Sequence, residues 1–145
     1  MTEIEFHTGV ADPQTFACRL LRKAWRQGVR VQVTAPAETL DALDRQLWAF
    51  DERDFVPHAR LPGASPAVRE RSPIWLTPEV VGGQAPRVVV NLDEQVPTDL
   101  AGLDRLIEVV STDAEQADRG RQRWRAYKSL GLSIKHHGES GVDRG

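Results

Sequence analysis

Hydrophobic and polar residues follow clear periods over the first third of the chain. Ile4 and Phe6 alternate with polar and charged residues, which predicts a first β-strand. Asp12 is followed by Pro13, and the pair is typical of a helix N-cap and the first residue of the helix. Apolar residues then recur at helical spacing up to about residue 27. Gly28 ends that helix, and valines at alternate positions predict a second strand at Val29, Val31 and Val33.

The order strand, helix, strand within about 30 residues is typical of a parallel βαβ unit. A second helix is predicted over residues 37–50, and its buried stripe comprises Leu40, Leu43, Leu47 and Phe50. Residues 59–72 are predicted to be a loop because proline and glycine interrupt them. Later apolar segments predict strands at residues 74–76, 87–92 and 106–110. Residues 87–92 contain a run of β-branched residues, which suits a strand buried on both faces.

A last helix is predicted over residues 114–130, with Gly131 as its stop. Ser111 or Thr112 is expected to cap this helix, since Glu115 follows Thr112 at the spacing of a capping box.

The last helix carries an unusual density of cations and aromatic rings, because residues 119–128 contain four arginines, a lysine, a tryptophan and a tyrosine. Helical spacing places Arg121, Arg125 and Lys128 in a basic stripe with Trp124 at its border. Such a surface suits an anionic, partly apolar partner. The alternative is a solvated basic face over a core tryptophan.

A second aromatic feature follows the second helix. Trp48 lies on the polar side of that helix, and Phe55 follows in a charged, loop-like segment. Two large apolar groups near one surface form a patch of the kind that marks a partner site. The alternative is that the following loop buries Trp48.

Composition limits the function classes. A chain of 145 residues suits one domain with a real core. A net charge of −2 argues against strong non-specific binding of nucleic acid, so such a role would have to rest on a local patch. The single cysteine, Cys18, cannot form an internal disulfide and indicates a reduced, cytoplasmic compartment. No apolar run approaches the length that spans a membrane.

The chain lacks the usual signatures of catalysis and cofactor binding. The first strand leads into a loop without a glycine-rich phosphate motif, so a nucleotide-like architecture without nucleotide chemistry and without a cofactor is expected. No catalytic residues and no metal site are predicted, because no nucleophile motif occurs and metal-ligand spacing is absent among His7, His58, His136 and His137. A solvated acidic surface is the interpretation of Asp41, Asp44, Asp51, Glu52 and Asp54.

Three stretches, taken in this order, resemble the chi subunit of bacterial DNA polymerase III holoenzyme. They are residues 26–31 before the second strand, residues 47–58 with Trp48 and the sequence Phe55-Val56-Pro57-His58, and residues 121–131 of the last helix. The similarity extends over residues 1–134. It implies a single three-layer α/β domain with a mostly parallel, Rossmann-like sheet and helices on both faces, followed by a flexible C-terminal tail at residues 135–145.

The resemblance also implies a non-catalytic adaptor in DNA replication. Chi proteins bind the psi subunit of the clamp loader and the C-terminal tail of single-stranded-DNA-binding protein, which is acidic and ends in an apolar residue with a free carboxylate. By similarity the tail is expected at Val110, Arg121 and Trp124, and the basic stripe adds Arg125 and Lys128. Psi is expected at Trp48 and Phe55, within the stretch that includes Val56, Pro57 and His58. The resemblance also implies an alternative occupant of this surface in some bacteria, such as a repair helicase, similar to what some family members bind.

Two other functions stay open. One is a direct binder of single-stranded nucleic acid that uses the basic last helix, and a gel shift with an oligonucleotide discriminates it. The other is a small nucleotide-binding enzyme, which a thermal shift with common nucleotides tests. In the leading hypothesis DNA is reached only indirectly, and no membrane partner is expected.

Overall fold

The computed structural model describes residues 2–49 and 55–138. Phe50, Asp51, Glu52 and Asp54, which the sequence assigned to a buried stripe and an acidic surface, lie outside these residues. In the described part, the elements in chain order are β1 (Glu3–Val10), α1 (Pro13–Arg26), β2 (Val31–Thr34), α2 (Ala37–Ala49), β3 (His58–Arg60), α3 (Pro66–Arg71), β4 (Ile74–Thr77), β5 (Val88–Asn91), β6 (Arg105–Ser111), α4 (Ala114–Ser129) and β7 (Ile134–Gly138).

The described strands form one sheet in the order β3-β4-β2-β5-β6-β1-β7. Every neighbouring pair is parallel. The sheet is sandwiched between helices, since α1 and α2 pack on one face and α4 packs on the other. The α/β, three-layer, Rossmann-like fold that the sequence implied is therefore confirmed, with a sheet that is parallel at every pairing.

The central strands are buried on both faces, as the β-branched run predicted. Val90 of β5 and Ile107 of β6 belong to the cluster under α1 and α2. Their neighbours Val89 and Leu106 belong to the cluster under α4. Alternate residues of a strand point to opposite faces, so each central strand contributes to both layers of the core.

On the first face, α1 begins and ends where the sequence indicates, and α2 begins at the predicted residue 37. The Asp12 carboxylate accepts a hydrogen bond from the backbone N–H of Thr15 at 3.2 Å, which caps α1. Gly28 follows the helix with a φ of +74°, a backbone conformation that glycine adopts without strain. On α2 the predicted buried positions Leu40, Leu43 and Leu47 are all in the core.

Residues 59–72, predicted to be a loop, contain two regular elements instead. β3 is a short strand at the sheet edge and pairs with β4 alone. Ser65 caps α3 through its hydroxyl, which accepts from the backbone N–H of Val68, and Pro66 is the first residue of the helix. Of the residues that suggested a loop, Pro62 and Gly63 lie in the turn between β3 and α3, whereas Pro66 starts the helix.

The cap of α4 also differs from the prediction. Asp113 is the N-cap, and its carboxylate accepts from the backbone N–H of Gln116 at 3.0 Å. Ser111 still belongs to β6, and its hydroxyl accepts a hydrogen bond from the backbone N–H of Asp113. The helix therefore begins one residue later than it would with Thr112 as its N-cap.

Regular structure continues past residue 134, because residues 134–138 form the strand β7. β7 runs parallel to β1, with Ile4 opposite Ile134 and His7 opposite His137. This corrects the prediction of a flexible tail for residues 135–138, whereas residues 139–145 lie outside the described part. The sequence of β7 gives little sign of a strand, because an edge strand with exposed faces can be polar throughout.

No helix in the described part of the chain is long and apolar enough to cross a membrane.

Candidate functional site

A cavity of about 560 Å³ lies between α4 and the sheet, where β1 and β6 end. Crevices outside the carboxyl ends of parallel strands are common ligand sites in open α/β sheets. Side chains of β1, β6, α4 and β7 line it, among them Phe6, Val110, Arg121, Trp124, Arg125 and His136.

The floor of the cavity is apolar. Phe6 and Val110 are buried, and the Trp124 ring meets Phe6 edge to face with ring centroids 5.0 Å apart. Trp124 is only partly buried, so it packs on the core and also presents surface to the cavity. Trp124 is thus a core aromatic, as the alternative interpretation held, and it also lines the cavity, while its role as an anchor for a partner stays a prediction.

Gly120 allows α4 to lie close to β6. A Cβ at this position would come within 2.8 Å of one methyl group of Val110 and 2.9 Å of the other. The valine side chain is branched at Cβ and cannot swing away easily. The absence of a side chain at Gly120 therefore sets the spacing between helix and strand at the cavity.

The rim of the cavity is basic. Arg121 is exposed, and its Nη2 lies 3.3 Å from a carboxylate oxygen of Asp118, which is a weak surface ion pair. Arg125 lines the same cavity and is also exposed. An apolar hollow with guanidinium groups at its rim can bind a ligand that carries both an apolar group and a negative charge.

Four of the five residues expected to bind the acidic tail therefore lie together at one cavity: Val110, Arg121, Trp124 and Arg125. Lys128 is exposed near the C-terminal end of α4 but is not among the cavity residues. Its contribution would have to come from its charge at a distance.

His136 is a cavity residue that the sequence analysis did not identify. Its Nε2 lies 2.7 Å from the Thr8 hydroxyl, and its ring stands edge-on to Trp124 with centroids 5.6 Å apart. The sequence gave no reason to place it there, since the strand that carries it was predicted as a tail. Only the pairing of β7 with β1 brings His136 to the cavity.

A buried polar network fixes α4 behind the cavity. Glu108 of β6 is fully buried and accepts hydrogen bonds from Arg123 Nε at 2.9 Å, Asn91 Nδ2 at 3.0 Å and the Tyr127 hydroxyl. Arg123 also donates to the backbone carbonyl of Glu94 at 3.0 Å. Both α4 partners of Glu108 are on the buried side of the helix, opposite the exposed arginines.

The network also shifts the pKa of its titratable groups. Burial raises the pKa of Glu108, and the charge of Arg123 opposes that effect. Burial and the nearby Glu108 charge raise the pKa of Tyr127 so far that its hydroxyl stays protonated as a donor. The arrangement is that of a structural anchor, because the three donors already occupy the carboxylate.

The second predicted surface is also present. Trp48 is 66% exposed and Phe55 is 38% exposed, and their ring centroids are 4.7 Å apart. The alternative in which the following loop buries Trp48 depends on residues 50–54, which lie outside the described residues. We call the exposed pair of Trp48 and Phe55 the aromatic patch.

The other residues of that predicted surface have supporting positions. Val56 is in the core with no exposure, so it is not a contact residue of the surface. Pro57 is partly buried. The His58 ring lies within 6 Å of both rings of the aromatic patch. Asp44 Oδ1 holds His58 Nε2 at 2.6 Å, and the Val56 carbonyl lies 2.8 Å from its Nδ1.

Comparison with known proteins places the chain in a family. The sequence model described as "DNA polymerase III chi subunit, HolC" matches residues 1–135. The chain is 29% identical over 142 residues to the DNA polymerase III subunit chi of Pseudomonas aeruginosa, covering 94% of this chain and 96% of that protein. It is 26% identical over 125 residues to the Haemophilus influenzae subunit chi, covering 83% of each chain. It is 23% identical over 128 residues to the Escherichia coli subunit chi, covering 87% of this chain and 85% of that protein.

Proposed function

The chain belongs to the DNA polymerase III chi subunit family, with a function in DNA replication, and from that premise we propose that it is a non-catalytic replisome adaptor. It links the clamp loader, through psi, to the C-terminal tail of single-stranded-DNA-binding protein. In this proposal the protein acts in the cytoplasm and reaches DNA only through its partners.

The observation that carries the proposal is the cavity at α4, which matches the chemistry of the tail. An acidic peptide that ends in an apolar residue needs an apolar hollow for its last side chain and a cation for its terminal carboxylate. Val110 and Trp124 offer the hollow, and Arg121 offers two parallel N–H donors for the carboxylate. The cavity residues therefore suit both the apolar side chain and the free carboxylate of the last residue of the tail.

Arg125 and Lys128 extend the positive charge along α4. Their role in this proposal is to attract the acidic residues that precede the end of the tail. Contacts between exposed charges are weakened by salt, because ions screen them over about 10 Å at 0.1 M ionic strength. Binding of the tail should therefore fall as salt concentration rises.

The aromatic patch supports the second half of the proposal. Trp48 is two-thirds exposed beside Phe55, and aromatic residues of this kind often anchor protein interfaces. His58 contacts Asp44 at 2.6 Å, and its ring packs beside both aromatic rings. We propose psi as the partner at this surface, and a repair helicase is the alternative occupant.

The proposal is tested by fluorescence anisotropy with a labelled peptide copied from the tail of the source organism's single-stranded-DNA-binding protein. Arg121→Ala is expected to weaken binding by about 1.5–3 kcal/mol, the range for a hydrogen bond to a charged group. A peptide without its terminal residue should bind far more weakly, because both the apolar group and the correctly placed carboxylate are lost.

Arg87→Ala is a matched control for this experiment. Arg87 is 62% exposed and lies 3.3 Å from an aspartate oxygen, the same values that Arg121 has. It is distant from the cavity, since it precedes β5 at the opposite end of the strands. Equal affinity of Arg121→Ala and wild type, or equal losses in Arg121→Ala and Arg87→Ala, would contradict the proposed site.

The exposed stripe of Arg121, Arg125 and Lys128 beside Trp124 also favours one second candidate, a direct binder of single-stranded nucleic acid. A gel shift with an oligonucleotide separates the two functions. In the adaptor proposal the oligonucleotide shifts only when its binding protein is present. A shift with this protein alone would favour the second candidate.

A further inference from the structure

On the sheet face opposite the cavity, three potential metal ligands of β1 and β7 lie together. Glu5 and His7 are two residues apart on β1 and so point to the same face. His137 is directly opposite His7 in the register of the two strands, and the two imidazoles stack with centroids 4.7 Å apart. One ligand atom from each of the three side chains lies within 4.8 Å of the others.

The carboxylate of Glu5 is oriented for this role by Arg105. Arg105 donates to Oε2 of Glu5 from Nη2 at 2.7 Å and from Nε at 3.1 Å. The second oxygen, Oε1, faces the two histidines, at 3.6 Å from His7 Nε2 and 4.0 Å from His137 Nε2. The side chain of Glu5 is only 11% exposed, so its position is held by packing as well as by Arg105.

We propose that Glu5, His7 and His137 form a binding site for a divalent transition-metal ion, with zinc as the expected occupant. Two imidazole nitrogens and one carboxylate oxygen are a common zinc ligand set with a fourth position left for water. At usual zinc–ligand distances, tetrahedral geometry puts ligand atoms roughly 3.4 Å apart. The present distances of 3.6 and 4.0 Å from Glu5 Oε1 exceed this value, so the side chains must rotate when the ion binds. His137 is 49% exposed, which gives the ion an entry path and room for the water.

The donor types select the class of metal. Imidazole suits zinc, copper, nickel and cobalt, whereas magnesium and calcium prefer oxygen ligands throughout. The sequence analysis predicted no metal site because His137 lies more than 100 residues from Glu5 and His7 along the chain. The free cysteine is not a competing ligand, because Cys18 is buried and burial, with a smaller effect of the Asp12 charge, raises the pKa of its thiol to about 11.

Metal at this site would join the last strand to the first. β7 is an edge strand with mostly exposed residues, and a shared metal ion adds a link that its packing lacks. The adjacent residue His136 points to the other face and lines the α4 cavity. The site does not depend on the proposed adaptor role, which stands or fails with the peptide experiment.

The test is a titration of the full-length protein, without a polyhistidine tag, with zinc by calorimetry and with cobalt by visible absorption. One ion per chain is expected, with the absorption of a tetrahedral cobalt site. His137→Gln should lower affinity by at least about tenfold, because even residues that only orient ligands cost 10–100-fold. Zinc should raise the unfolding temperature of the wild type more than that of His137→Gln.

The matched control is His136→Gln, which removes the neighbouring imidazole of the same strand on its opposite face. Unchanged metal affinity in this variant, with the loss confined to His137→Gln and His7→Gln, would establish the site. Equal losses in the His136 and His137 variants would assign binding to the adjacent histidine pair and overturn the proposal. Failure of the wild type to bind zinc or cobalt at micromolar concentration would also overturn it.

Discussion

Arg121 and Arg123 are two positions apart on α4 and have opposite surroundings. The Arg121 side chain is 62% exposed, whereas that of Arg123 is 5% exposed and paired with a fully buried carboxylate. Exposed ion pairs contribute little to folding, but removal of one partner from a buried pair leaves a charge without compensation. We therefore expect Arg123 to contribute to stability, whereas Arg121 is the residue to which the proposed function gives a binding role.

Arg123→Ala is expected to lower the free energy of unfolding by about 3–5 kcal/mol, because Glu108 would lose its charged partner inside the core. Urea denaturation followed by far-ultraviolet circular dichroism measures this change. Arg121→Ala serves as the control and should stay within about 0.5 kcal/mol of wild type, as surface substitutions usually do. Similar stability of the two variants would show that the buried pair does not support the fold.

The role of Arg123 could not be read from its own neighbourhood in the sequence. The basic residues at 119, 121, 123 and 125 alternate, and helical periodicity alone assigned the binding stripe but not the buried cation. A signal does exist on β6, where Glu108 interrupts an otherwise apolar run. A carboxylate in a strand predicted to be buried requires a donor, and α4 packs on that strand.

At the scale of elements, the contact of α4 with β6 depends on the missing side chain of Gly120. Alanine favours helices over glycine by about 1 kcal/mol, so propensity alone predicts that Gly120→Ala stabilises the protein. The close approach to Val110 predicts the opposite, a loss of about 1–3 kcal/mol from overpacking. Urea denaturation decides between the two, and the tail peptide should also bind more weakly because the cavity is next to this contact.

A second substitution separates overpacking from other causes. Val110→Ala removes the methyl groups that the new Cβ would meet, so the double variant should be more stable than the sum of the two single changes predicts. Gly63→Ala is the control for an added Cβ outside a helix, since a Cβ there has no neighbour within 4 Å and the backbone φ is not positive. Additive effects of Gly120→Ala and Val110→Ala would contradict the packing argument.

Elements with a strong hydrophobic period could be predicted from the sequence. Strands that form only because they pair with a neighbouring strand could not. α1, α2, β5 and β6 carry their own buried stripe or apolar run, which local pattern detects. β3 and β7 are edge strands of few residues with polar sequences, and they are held in place by pairing with β4 and β1. Since β7 was not predicted, neither His136 at the cavity nor His137 beside Glu5 could be placed.

At the scale of the whole molecule, the sheet separates the two proposed partner surfaces. The cavity includes residues of β1, β6 and β7 near one edge, whereas the aromatic patch lies beside α2 and β3 at the other edge. Six strand spacings of about 4.8 Å separate β3 from β7, a distance of roughly 29 Å. The helices involved, α4 and α2, also pack on opposite faces of the sheet. Two partners can therefore occupy the molecule together without contact between their sites.

This geometry predicts that the two sites bind independently. Substitutions more than about 7–10 Å apart without shared partners are usually additive within 0.3–0.5 kcal/mol. The double variant Trp48→Ala with Phe55→Ala should thus bind the tail peptide with wild-type affinity while it loses psi. Saturating psi should likewise leave the peptide affinity of the wild-type protein unchanged. Anisotropy titrations of the peptide measure both effects. A change larger than about 0.5 kcal/mol in either titration would mean that the sheet couples the sites, and the protein would then be a switch rather than a passive link.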